Sequence, residues 1–229
     1  IRKEILFASV GSQHNSLDEI FEFVVSFSEQ CFLNEYIYTE EKKEVKLLSK
    51  LKKSLKFSKN INELKIAVLG CYLPLNLIKG AVAKLTKYKS KNTLFNDLLL
   101  MQIQEPLLEK KISNSIKSLG KISDITSQKV KKQYEQNPYP RWRYTYLNLP
   151  NNLLNIVNSL VSPNKIKLIN KINNPEVLIA GCGTGKQIIY TKGFLNANIT
   201  GIDLSLSSLA YAKRKSEEVG LKNINFLQA

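Results

Sequence analysis

The chain has 229 residues, of which 43% are hydrophobic and 23% charged, a balance that can bury one large core or two small ones and excludes a disordered chain. No apolar run reaches the roughly 20 residues that cross a bilayer, and the opening IRKEILFASVGSQHNS lacks both the apolar length and the cleavage site of a signal peptide, so a cytoplasmic protein with no membrane partner is expected. The formal net charge of +15 admits a nucleic-acid partner, but lysine and asparagine are abundant along the whole chain and no stretch interleaves basic residues with aromatics, so nucleic acid has no support beyond net charge.

Residues 1–132 read as a helical region. From Leu17 to Tyr38, the residues Ile20, Phe21, Val24, Phe27, Cys31 and Phe32 recur at three- and four-residue steps and predict an amphipathic helix. A second helix runs through Val45, Leu47, Leu48, Leu51 and Leu55, its many lysines forming a solvated face; such a helical region is a candidate surface for a protein partner. The apolar stretch Ile61 to Tyr72 fits either a strand or a buried helix, closed by Gly70 and Pro74. Helices follow at Leu75–Tyr88, Leu94–Gln104 and Pro106–Leu119, the last with a first-turn proline and Gly120 as its stop. Asp124 or Thr126 caps another that runs to Gln136. The three cysteines, Cys31, Cys71 and Cys182, stand far apart with a single histidine, His14, which excludes zinc spacings and a disulfide framework; no metal is expected.

At Asn137-Pro-Tyr-Pro-Arg-Trp-Arg the chain changes character, because each residue before a proline is pushed out of helical conformation. Residues 133–150 form this connector, and 151–229 an α/β domain. There Glu176 to Gly185 reads EVLIAGCGTG, a buried strand running into a glycine loop at the start of a helix, which brings free amides against a ligand. A second strand, ITGID, ends 18 residues after Gly185 in Asp203, a carboxylate able to accept both hydroxyls of a ribose. Ser205 caps the next helix, with Leu206, Leu209, Ala210 and Ala212 inward, and NINFLQA begins a third strand. A dinucleotide fingerprint needs glycine where Lys186 stands, and a phosphate-binding loop needs glycine at Ala180 and Ser or Thr at Gln187.

The GxGxG loop, the acid that ends the next strand and the run GIDLSLSSLAYAKRK together resemble class I S-adenosylmethionine-dependent methyltransferases. With SQKVKKQYEQNPYPRW upstream, the chain is similar to a bacterial subgroup often found behind tetratricopeptide repeats, although no repeats are visible here. The resemblance implies the amino-terminal half of a Rossmann-like sheet, three parallel strands preceded by helices. It implies S-adenosyl-L-methionine as cofactor, held by Ala180, Gly181, Cys182, Gly183, Thr184, Gly185, Gln187, Asp203 and Leu204, with Leu204 at the adenine. Many such enzymes carry an acid two residues before the first glycine, where this chain has Ile179.

Tyr134, Tyr139, Arg141 and Trp142 form a lid over the cofactor mouth, or alternatively pack the helical part onto the sheet. The methyl acceptor is an unidentified protein, small molecule or RNA, and no catalytic residue is assigned. Two other readings compete: a non-catalytic scaffold with a methyltransferase-like fold, and an NAD-dependent oxidoreductase, which Lys186 disfavours. Starting at Ile1 and ending at Ala229 within the third strand, the chain reads as a fragment that is inactive alone and binds cofactor weakly, its activity belonging to a longer parent.

Overall fold

The computed structural model describes residues 1–10, 19–57, 61–78, 80–145, 151–166, 174–194, 197–221 and 224–229, so His14 lies outside the described residues. The chain forms two compact units, Ile1–Leu108 and Glu109–Ala229. Among the described residues, no helix is long and apolar enough to cross a membrane.

The first unit is helical: α1 (Arg2–Val10), α2 (Phe21–Leu33), α3 (Lys42–Phe57) and α4 (Glu63–Gly70) enclose one core. The stretch that fitted strand or helix is α4, started by Asn62, whose side chain accepts from the Lys65 amide. Six of its eight residues are buried, which erases the one-sided pattern that marks a surface helix. The helix expected over Leu75–Tyr88 is instead a 3-10 turn, Leu75–Leu77, and a single α turn, α5 (Val82–Leu85), because Gly80 adopts φ +85° between them.

The expected helix at Pro106 does not start there. Helical structure is continuous from α6 (Thr93–Leu99) through a π-helical turn, Leu100–Gln104, into α7 (Glu105–Ser113). Pro106 therefore sits in a helix interior, directly after the widened turn, which relaxes the packing that a proline ring would otherwise clash with. The same turn directs Gln102 into the core, where Nε2 donates to the carbonyls of Ser28 and Gly70 at 3.0 and 3.2 Å.

The second unit is α/β, with a parallel sheet of order β1-β4-β3-β2: β1 (Lys117–Ser118), β2 (Glu176–Ala180), β3 (Asn198–Asp203) and β4 (Ile224–Gln228). Around it lie α8 (Ile125–Gln136), α9 (Leu153–Leu160), α10 (Lys186–Tyr190) and α11 (Leu206–Glu218). Among the described residues the sheet has four strands where three were expected. The fourth comes from the end of the predicted helix Pro106–Leu119, which stops at Ser113; Lys117 and Ser118 pair with Leu227 and Gln228, and the Leu119 amide donates to the Gln228 carbonyl. Gly120 follows that strand and does not close a helix.

β2 is not the buried strand that its apolar run suggested. It lies at the sheet edge with alternate residues exposed, Leu178 at 64%. Two clusters fill the unit: Cys182, Ile188, Leu209, Ala212 and Phe226 beside the sheet, and Trp142, Ile189 and Tyr211 beyond them.

Candidate functional site

β2 ends in the glycine loop, where Gly181, Gly183 and Gly185 have φ of +64°, +51° and +80°, a left-handed conformation that costs any other residue about 1–2 kcal/mol. The three glycines do different work. A Cβ placed on Gly181 or Gly183 would meet nothing within 4 Å, whereas one on Gly185 would lie 2.6 Å from the Ala212 Cβ. Gly185 thus lets the start of α10 rest on α11, while Gly181 and Gly183 leave bare backbone on open space. The loop is tied down through the Cys182 amide, which donates to the Ile202 carbonyl at 3.0 Å, and the Gly185 amide, which donates to Cys182 at 2.9 Å. Burial pushes the Cys182 thiol up to about 12, helped by the Asp203 carboxylate, so it stays a protonated, inert thiol.

Asp203 ends β3 beside this loop. Its Oδ2 accepts from the Gly183 amide and its Oδ1 from the Ser205 amide, both at 2.9 Å. An ionised carboxylate has about four acceptor positions, so two such bonds leave capacity facing the pocket. Ser205 caps α11 as the sequence indicated, its hydroxyl accepting from the Ser208 amide. Leu206, expected inward, is only partly buried.

The proline connector clamps onto the loop. The Thr184 hydroxyl donates to the Pro140 carbonyl at 2.6 Å, and the Trp142 indole N–H donates to the Thr184 carbonyl at 3.0 Å. Trp142 is buried; its ring meets that of Tyr211 edge-on, its amide donates to the Tyr211 hydroxyl and its carbonyl accepts from it. Below, Arg214 donates from Nε to the buried Glu109 at 2.9 Å, and Lys215 to the Arg143 carbonyl at 3.0 Å. α8, capped by Asp124 through the Ser127 amide, adds a contact that the sequence did not reveal. Its Glu135 carboxylate accepts from the Leu206 amide at 2.7 Å, and from the amide and hydroxyl of Ser207 at 3.1 and 2.7 Å.

Loop, strand end and connector enclose a pocket of about 700 Å3. That is within the roughly 300–1,000 Å3 usual for small-molecule sites. Of the residues singled out from sequence, Gly181, Cys182, Gly183, Thr184, Gln187, Asp203, Leu204, Tyr134 and Tyr139 line it. Ala180, Gly185, Arg141 and Trp142 do not: Trp142 packs beneath the rim, and Arg141 lies near the buried Glu109 with its guanidinium over the Tyr211 ring. The four lid candidates therefore divide into two pocket aromatics and two packing residues. Val130, Pro140, Lys186, Tyr190, Ile202, Ser208 and Ala229 complete the wall; Pro140 belongs to the proline motif and Lys186 bears on the loop's class, but neither pointed to the pocket lining.

The pocket wall thus joins a glycine loop, open at Gly181 and Gly183, to an acid that the Gly183 amide holds beside it. Residues 177–229 match the model of a methyltransferase domain. A tRNA (guanine-N(7)-)-methyltransferase of Rubrobacter xylanophilus is 45% identical over 56 residues, which are 24% of this chain and 25% of that protein. The chain thus spans about a quarter of the length of this curated relative. A solved structure described as "Conversion of a Disulfide Bond into a Thioacetal Group during Echinomycin Biosynthesis" is 23% identical over 45% of this chain and 38% of its own, at a TM-score of 0.28, a likeness too slight to bear on the fold. The matched methyltransferase domain begins at the second residue of β2 and takes in the glycine loop, Asp203 and α11.

Proposed function

We propose that this chain carries the cofactor site of an S-adenosylmethionine-dependent methyltransferase, with β2, β3 and β4 as the first three strands of a class I sheet, and that NPYPRW places it with the subgroup often found behind tetratricopeptide repeats. The observation that carries the reading is the pairing of Gly183 with Asp203 at 2.9 Å on the wall of the pocket. It sets bare loop backbone and a carboxylate side by side, one suited to a methionine chain and the other to ribose hydroxyls. The open space at Gly181 and Gly183, which a side chain would fill, fits a ligand that touches backbone. Leu204 offers adenine an apolar contact, and Tyr134 and Tyr139 stand at the mouth as a lid.

Bound there, S-adenosylmethionine supplies an electrophilic sulfonium methyl. The chain's own residues bind, orient and shield it from water, contributions of position more than of covalent chemistry. Protein, small molecule and RNA are the candidate methyl acceptors, and the tRNA methyltransferase relative of R. xylanophilus makes tRNA the first to assay.

Titrating the 229-residue chain with S-adenosylhomocysteine and with NAD, followed by amide NMR, tests the reading. Shifts centred on Gly181, Gly183 and Asp203 are expected with the first ligand, lost in Asp203→Ala, and absent with the second. Binding of NAD at those amides would make the site a dinucleotide site, and silence with both ligands would leave a scaffold.

A further inference from the structure

We propose that Glu135 is a positioning residue, a clasp that fastens α8 to the first turn of α11 and so holds Tyr134 at the mouth of the pocket; the inference rests on the cofactor reading above. α8 has no buried residue along ITSQKVKKQYEQ. Apolar burial therefore contributes little to holding it, and its place on the unit falls to polar contacts. Glu135 supplies them. One carboxylate oxygen takes the Leu206 amide and the other the amide and hydroxyl of Ser207, three donors from a single turn.

The clasp also completes the helix that it grips. The opening N–H groups of a helix have no partner within it. In α11 the Ser208 amide is taken by Ser205 and the Leu209 amide by the Ser205 carbonyl, which leaves those of Leu206 and Ser207, the two that Glu135 receives. A full negative charge meets the positive end of the helix, where charge-assisted bonds are strongest. Leu206 lies three positions beyond Asp203, and Tyr134 adjoins Glu135. One side chain thus links the pocket's acid-bearing strand end to its aromatic rim. The Pro140–Thr184 and Trp142–Thr184 bonds form a separate anchor on the glycine loop, so α8 can come free while the connector stays docked.

Hydrogen exchange followed by mass spectrometry separates a clasp from a general structural role, and Trp142, the only tryptophan, reports on the second anchor. In Glu135→Ala, amides of residues 125–136 are expected to exchange about tenfold faster, while β3 and β4 keep their protection and the Trp142 emission stays put. Affinity for S-adenosylhomocysteine falls about fivefold or more, and Glu135→Gln, which keeps an accepting oxygen, recovers most of both effects. Unchanged exchange in 125–136, a uniform rise across the unit, or faster exchange with unaltered affinity would overturn the proposal. If the wild-type chain does not bind S-adenosylhomocysteine, the cofactor reading fails, and the exchange data still decide whether Glu135 fastens α8.

Discussion

Replacing single glycines of the loop by alanine should split stability from binding. Gly185→Ala pays twice: its φ of +80° is disfavoured for a side chain, and its Cβ would lie 2.6 Å from the Ala212 Cβ and 3.0 Å from the Ala212 Cα. The conformational part costs about 1–2 kcal/mol and overpacking typically another 1–3, so a loss of roughly 2–5 kcal/mol is expected. Gly181→Ala, at φ +64° with nothing within 4 Å of the new methyl, pays only the first part, roughly 1–2 kcal/mol. Its methyl instead occupies the face offered to the ligand. Urea unfolding followed by circular dichroism gives the two stabilities, and S-adenosylhomocysteine titration gives the affinities. Gly185→Ala should be the less stable variant and Gly181→Ala the weaker binder. Equal destabilisation of the two, or a Gly181→Ala variant that binds like wild type, would refute this division of labour.

Trp142→Phe removes the donor to the Thr184 carbonyl and should cost about 1–3 kcal/mol in urea unfolding, the range for a buried group left without its partner; a neutral outcome would show that the second anchor holds little. Stability should fall on the alkaline side. Burial pushes Tyr211 from 10.0 up to about 12 and, with Asp203, Cys182 from 9.0 up to about 12, so between those values the unfolded chain has shed protons that the folded chain keeps. The stabilisation is whole below pH 9 and drains away towards pH 12, by at most about 1.4 kcal/mol per pH unit for each group; a flat urea midpoint from pH 8.5 to 11 would contradict it. Finally, Leu178→Lys puts a charge on the exposed face of the edge strand and should lower the light scattering of concentrated samples while leaving the unfolding midpoint within about 0.5 kcal/mol.

The parts of the site visible in sequence are those whose causes are local. Glu176–Ala180 and Asn198–Asp203 announce themselves by an apolar run with a glycine or acid at its end, and Asp124 and Ser205 by the side-chain oxygen that a helix start needs. What stayed hidden depends on partners far along the chain. Lys117 and Ser118 have no strand-like pattern and become extended because Leu227 and Gln228 pair with them. Glu135 looks like any charge on a polar helix until Leu206 and Ser207 arrive, 71 and 72 residues later. In sequence Gly185 groups with its two neighbours, because a glycine does not declare what fills the space it leaves; here Ala212 does. Trp142 stays open in sequence between lid and packing for the converse reason, since a large aromatic beside a proline turn suits a rim and a core equally well, and Tyr211 decides between them.

The sheet's order bears on the timing of synthesis. The Ser118 hydroxyl donates to Gln228 Oε1, across 110 residues, and Gln228 Nε2 donates to the Leu204 carbonyl, so one late side chain joins the ends of β1 and β3. At roughly 5–20 residues per second, a ribosome needs about 5–20 seconds to travel from one to the other. For that interval β1 waits for β4, while β2 and β3 can pair as soon as Asp203 is made, ahead of β4. The short, polar character of Lys117–Ser118 suits the wait, because two exposed residues offer little for a neighbouring nascent chain to seize.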